Sequence, residues 1–220
     1  MIAALRAAAV RRRLRRISRR DRRALARLCR RHPGLEIDPA ASSNLAVARF
    51  SLGAGARLRI GAGVVTERTP DALRFLLEPG ATAEIGPGTW LRTDLGPVVI
   101  AVFSGGELRT GPDCFLNACH LSCKERVTLG RRAWIGPGSR VFDADQHDLD
   151  DGRPERRAPV AIGDHVWIAS DVTVLRGVSI GDHAVVASRA LVTRDVPPHR
   201  LALGVPATPR GEIGDRTRTR

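Results

Sequence analysis

The chain has 220 residues, with 36 Lys or Arg against 23 Asp or Glu, a formal net charge of +13, and only 4 % aromatic residues with no Tyr. That length holds one domain with a core or one elongated repeat array, and a core so poor in rings has to be built from aliphatic and small side chains. No apolar run approaches the roughly eighteen residues a membrane-spanning helix needs.

Residues 1–32 carry thirteen Arg and one acid, Asp21, so this tail holds +12 of the net charge and the rest of the chain is near neutral. Its apolar residues, Ile2, Leu5, Ala9, Val10, Leu14, Ile17, Ala24, Leu25 and Leu28, recur at a near-helical period with Arg on the other faces, which predicts a basic amphipathic helix. Arg6 interrupts the first apolar stretch, and no secretory signal is expected. Two readings of this helix stand side by side: a peripheral contact with an anionic membrane, and a solvated helix capping the domain. Nucleic acid is not an expected partner, because no aromatic stacking platform accompanies the arginines.

Residues 33–107 contain isolated units such as IGAGVV at Ile60, IGPGTW at Ile85 and LRTDLG at Leu91. Between 62 and 128 the register slips several times, so irregular coils or a cap are expected over 33–107. The four cysteines are Cys29, Cys114, Cys119 and Cys123. Their spacing matches no common zinc pattern, and small buried thiols are the expectation. With nothing requiring an oxidising compartment, the location expected is cytoplasmic, or the inner face of the plasma membrane if the tail binds lipid.

From residue 162 the chain falls into sixes, IGDHVW, IASDVT, VLRGVS, IGDHAV, VASRAL and VTRDVP, led by Ile162, Ile168, Val174, Ile180, Val186 and Val192. The same phase runs upstream through Leu129, Ile135 and Val141. A period of six means a short strand and a turn with one side chain per unit pointing inward, and such units bury their apolar face only by stacking. Gly163 and Gly181 mark tight bends, and Asp164 and Asp182 are expected to bond their own backbone in the turns. His165 and His183, eighteen residues apart, are expected to stack on an outer corner. Trp90, Trp134 and Trp167 each precede a leader and are expected to face outward.

The rhythm breaks once. Val141 and Ile162 lie twenty-one residues apart, three more than whole units allow, so 142–161 (FDADQHDLDDGRPERRAPVA) is expected to leave the coil as a loop. Its aspartates begin like an EF-hand, but that motif needs Gly at its sixth position and Glu at its twelfth, where this chain has Asp148 and Pro154.

The repeats over 108–210, above all IGDHVWIASDVTVLRGVSIGDHAVVASRALVTRDVPPHRLALGVPA, resemble those of the hexapeptide-repeat acyltransferases of the maltose, galactoside, nodulation and colanic-acid type. The resemblance implies an all-β fold, a left-handed parallel β-helix that usually trimerises, here with the helical tail in front and a polar tail at 211–220 behind. It implies an acetyl-CoA-dependent O-acetyltransferase acting on a sugar or glycan precursor, with no metal. A poor hydroxyl nucleophile needs a base as it attacks a thioester; His147, in DQHDLD, matches the family's loop histidine. Asn117 matches a residue contacting the acceptor. The Ser170 backbone N–H matches the oxyanion donor, while Trp167, Ser188, Thr193, Arg194 and Arg210 match contacts to the cofactor. Departures from the family stand at Gly111-Pro112-Asp113, where Gly-Asp-Asn is common, and at Cys123 or Lys124, where an acidic acceptor-binding residue is usual. Two alternatives remain: a γ-class carbonic-anhydrase-like zinc enzyme on the same scaffold, and a non-catalytic β-helix used for assembly.

Overall fold

The structure is a computed structural model that describes residues 2–218, with side chains described from Val10 onward; the expected apolar positions Ile2, Leu5 and Ala9 therefore lie outside the described side chains. A helix, Ile2–Arg31, precedes short strands that form three parallel sheets. In chain order each coil passes through sheet I, sheet II and sheet III. Sheet I holds seven strands from Leu35–Ile37 to Ser179–Ile180, and sheet III seven from Arg49–Leu52 to Leu191–Val192. Sheet II runs from Val65–Thr66 to Arg200–Leu203 and ends on an antiparallel strand, Thr208–Glu212. The stacked coils are those expected from the sixes, and the architecture is the left-handed parallel β-helix that the family resemblance implied.

Every leader of the repeat is buried, among them Leu129, Ile135, Val141, Ile162, Ile168, Val174, Ile180, Val186 and Val192. They stack in register: Ile162 pairs with Ile180, Ile168 with Val186, and Val174 with Val192. Each such side chain stabilises by about 1.5–3 kcal/mol when fully buried, and stacking joins these single-residue stripes into one core.

The coils over 58–108 are regular, which corrects the expectation of irregularity there, while the first, from Leu35 to Leu58, takes twenty-three residues. Phe50, Phe75 and Ile100 are register partners in sheet III, and Leu58, Ala83 and Leu108 in sheet I, each step twenty-five residues. These coils are seven residues longer than the eighteen of the C-terminal ones, so a reading in sixes loses phase once per coil. The loop stands where 142–161 was expected to leave the coil, between the strands Arg140–Phe142 and Val160–Ile162. Val141 pairs with Val174, a thirty-three-residue coil, and the excess over eighteen is fifteen.

Both ends of the β-helix are covered, which protects its open strand edges. At the N-terminal end Leu25 is buried, with Leu28 and Cys29 packed against the core. At the C-terminal end the hairpin Arg200–Leu203 with Thr208–Glu212 closes sheet II.

The corners explain the glycines and aspartates. A Cβ on Gly181 would meet the Pro198 backbone nitrogen at 2.4 Å, and one on Gly163 would meet Asp182 Oδ1 at 2.3 Å. Asp182 Oδ1 accepts from the Asp164 N–H at 2.7 Å, and Asp164 Oδ1 from the Arg131 N–H at 2.7 Å. These carboxylates thus bond the preceding coil rather than their own turn, because stacked coils bring a neighbour's corner amide within reach.

Candidate active site

The corner between sheets II and III is a ladder of left-handed residues, Ala118, Gly138, Asp171 and Arg189, joined by Gly138 N–H to Ala118 O at 2.9 Å and Arg189 N–H to Ser170 O at 2.9 Å. Asn117, Ser170 and Ser188 occupy this one corner in different coils. Asn117 ends the strand Phe115–Asn117 and is buried, and its Oδ1 has no hydrogen-bond partner among the described residues. A buried acceptor left unpaired costs about 1–3 kcal/mol and marks a place to look for function. In the Ser170 turn, Ala169 N–H donates to Val186 O and Asp171 N–H to Pro137 O. The Ser170 N–H has no acceptor among the described residues. Gly136 keeps that amide uncovered, since a Cβ there would come within 3.0 Å of the Ser170 nitrogen. This bare N–H is the feature that fits a thioester oxygen.

The loop leaves from the other edge of sheet III, between Arg140–Phe142 and Val160–Ile162. Its base is fastened at three points. Asp143, fully buried, accepts from the N–H groups of Lys124 at 2.7 Å and Glu125 at 2.8 Å. Lys124 Nζ donates to Gln146 O at 3.0 Å and to Glu155 Oε1 at 2.5 Å, and sits 4.8 Å from the Phe103 ring centre. Asp145 pairs with Arg176 at 2.5 Å and Arg156 at 3.3 Å. Hydrogen bonds from Arg176 hold the Asp145 carboxyl below the usual range, and those from Lys124 do the same for Glu155.

His147 is the first residue beyond this base and is exposed. Neither flanking acid orients it: Asp145 is engaged with the arginines, and Asp148 accepts from the Glu155 N–H at 2.6 Å. A groove of about 480 Å³ at the loop base is lined by Phe142, Asp145, Gln146, Arg176 and Thr193, which places Thr193 beside the residue preceding His147. Arg194 follows it, exposed. Within one chain, then, His147, Thr193 and Arg194 lie on one edge of sheet III, and Asn117, Ser170 and Ser188 on the other. No hydrogen bond or ring contact among the described residues joins the two groups.

Trp90, Phe115, Trp134 and Trp167 are successive register partners on the outer face of sheet II. Trp90 and Trp167 are exposed and Trp134 half-buried, as their shared repeat position predicts. Arg210 lies on the terminal strand opposite Leu201, exposed.

The expected histidine stack is present and longer than expected: His165 and His183 lie 5.1 Å apart, and His183 and His199 4.7 Å apart, all nearly parallel. The chain after the hairpin is strapped to it. Arg216 N–H donates to His183 Nδ1 at 3.0 Å, Arg216 Nε to His165 O at 3.1 Å, and the guanidinium lies 5.4 Å from the Trp167 ring centre. Parallel rings aim their nitrogens sideways, not at a common point, and among the described residues no three His, Cys, Asp or Glu side chains are grouped to hold a metal ion. Cys114, Cys119 and Cys123 are buried free thiols. Burial pushes Cys114 and Cys119 up to about 12 and raises Cys123 as well, so none is poised as a thiolate.

Sequence reasoning missed Glu155, Arg176 and Arg216, and it singled out Lys124 only as a departure from the family, not as a fastener of the loop. One signal was available for Lys124: it is the sole lysine among 36 basic residues. Its compact ammonium sits between the Gln146 carbonyl, the Glu155 carboxylate and the Phe103 ring.

Residues 159–194 match the family model described as bacterial transferase hexapeptide (six repeats). Nodulation protein L of Rhizobium meliloti (strain 1021) is 42 % identical over 136 residues, covering 58 % of this chain and 69 % of that protein. The galactoside O-acetyltransferase of Escherichia coli (strain K12) is 37 % identical over 139 residues, covering 61 % and 66 %. The crystal structure of the polySia-specific acetyltransferase NeuO superposes with a TM-score of 0.59 at 18 % identity, covering 86 % of this chain and 92 % of that one, a likeness of fold. With the stacked sixes, the single long loop and these relatives together, the chain belongs to the hexapeptide-repeat acyltransferase family and is one of its acetyltransferases.

Proposed function

We propose that this protein transfers the acetyl group of acetyl-CoA to a hydroxyl of a sugar or glycan precursor. The reading rests chiefly on one observation: an exposed histidine at the end of a loop base that three sets of contacts hold in place. A relative being a galactoside O-acetyltransferase supports the sugar acceptor. In the reaction His147 takes the proton of the acceptor hydroxyl as its oxygen attacks the thioester carbonyl. The Ser170 N–H stabilises the resulting oxyanion, and the proton held by His147 passes to the departing CoA thiolate. Asn117 accepts from the acceptor. Trp167, Ser188, Thr193, Arg194 and Arg210 hold the donor, the arginines through its phosphates.

The two residue groups on opposite edges of sheet III support a homotrimer. In a closed three-fold ring the same two edges meet between neighbours, so His147 of one copy would face Ser170 and Asn117 of the next.

The test is thiol release from acetyl-CoA by the full-length protein across a panel of sugar acceptors. His147→Ala is expected to lower kcat by about 10²–10⁴ with CoA binding retained. Near-normal turnover would remove His147 from the mechanism, and a role untouched by the substitution would favour a non-catalytic assembly protein.

A further inference from the structure

Among the described side chains, the N-terminal helix is docked from Ile17 onward. Leu25 is buried, and Leu28 and Cys29 pack on the core. Asp21, 3 % exposed, pairs with Arg68 at 3.0 Å. Ser18 and Ser43 hydroxyls meet at 3.2 Å, and Arg22 donates to Pro39 O at 2.7 Å. Among the described side chains the contacts stop before Ile17, and the stripe runs on to Val10. Val10, Leu14, Ile17, Asp21, Leu25 and Leu28 follow at intervals of four, three, four, four and three, one face of a helix. Beyond half-buried Ile17, Leu14 is 59 % exposed and Val10 57 %. Around them stand Arg11, Arg12, Arg13, Arg15, Arg16 and Arg19, all exposed.

The occupant of this face has to offer both anions and an apolar boundary. A second copy of the helix would set like charges against each other. A nucleic acid would pair with the arginines but leave Val10 and Leu14 in water, and the helix holds no aromatic residue on which bases could stack. An anionic lipid surface satisfies both, taking the apolar stripe into the acyl boundary and the guanidinium groups onto its phosphates. We propose that the projecting part of the helix lies on an anionic membrane surface, with the Asp21–Arg68 pair as the fixed point that joins it to the β-helix.

The experiment is co-sedimentation of the full-length protein with vesicles of phosphatidylcholine alone and of phosphatidylcholine with phosphatidylglycerol. Binding is expected only to the anionic vesicles and is expected to weaken with salt. The double substitution Val10→Asp with Leu14→Asp should weaken it by about tenfold or more, since two apolar side chains lose their burial. Its thermal unfolding should match the parent, because both sites are exposed. No binding to anionic vesicles, or equal binding to neutral ones, would overturn the proposal. So would a double variant that still binds as the parent does, or a parent that prefers a single-stranded oligonucleotide to the vesicles; either result would mean that arginine charge alone acts. None of these readouts depends on the acetyl-transfer reading.

Discussion

Lys124 and Glu155 meet at 2.5 Å where the loop rejoins the body, with side chains only 11 % and 14 % exposed. The same ammonium holds the carbonyl of Gln146, so one side chain ties the outgoing and the returning strand of the loop. Lys124→Met should loosen both. Trypsin should then cut faster after Arg156 or Arg157, and kcat should fall more than acetyl-CoA affinity. A double-mutant cycle with Glu155→Leu should give a coupling of about 1–3 kcal/mol. A coupling near zero would mean that Asp143 and Asp145 hold the loop without this pair.

Stability should decline with pH in two separate windows. Burial, with Arg140 beside His120 and His183 beside His165, lowers both imidazoles. A lowered base is neutral in the fold and charges first in the unfolded chain, so stability is full above the unfolded value of about 6.5 and is lost as pH falls below it. Asp145 and Glu155 are held low by their cationic partners. Their contribution is present above the unfolded value of about 4 and is lost as pH drops through the folded one. Urea unfolding at pH 7.5, 5.5 and about 3.5 should show both steps. A midpoint unchanged between the first two values would contradict the histidine assignment.

Replacing His183 with Ala removes the acceptor of the Arg216 N–H and the middle ring of the stack. Hydrogen exchange at the Arg216 amide should accelerate sharply while the coil amides stay protected. Trp167 fluorescence should change as the guanidinium leaves its ring. Unaltered exchange would mean that the strap is held without His183, by contacts such as Ile213 N–H to His199 O and Arg132 to Thr217 O.

Gly181→Ala should destabilise by about 1–3 kcal/mol, because its new Cβ would fall 2.4 Å from the Pro198 nitrogen of the next coil. Gly211→Ala, with nothing within 4 Å, is the matched control and should stay within about 0.5 kcal/mol. Equal thermal midpoints for the two would mean that the coils separate more easily than their close stacking implies.

The sixes by themselves determined the stacked coils and the inward face from residue 129 onward, because a repeat of one leader per short strand buries its apolar stripe only by stacking, while the left hand came from the family resemblance. They also located the histidine stack, the outward tryptophans and the loop. They did not resolve the twenty-five-residue coils, since a period of that length does not divide by six and hides in the shifting phase of Ile60, Ile85 and Leu91. Nor could spacing show where His147 stands relative to Asn117. Thirty residues of sequence separate them, but the loop leaves from one edge of sheet III and Asn117 sits on the other. That arrangement, the turn of Asp145 and Asp148 away from His147, and the fastening of the loop by the chain's one lysine depend on contacts between residues far apart in sequence. Only the stacking of coils brings those residues together, so only the tertiary structure could decide them.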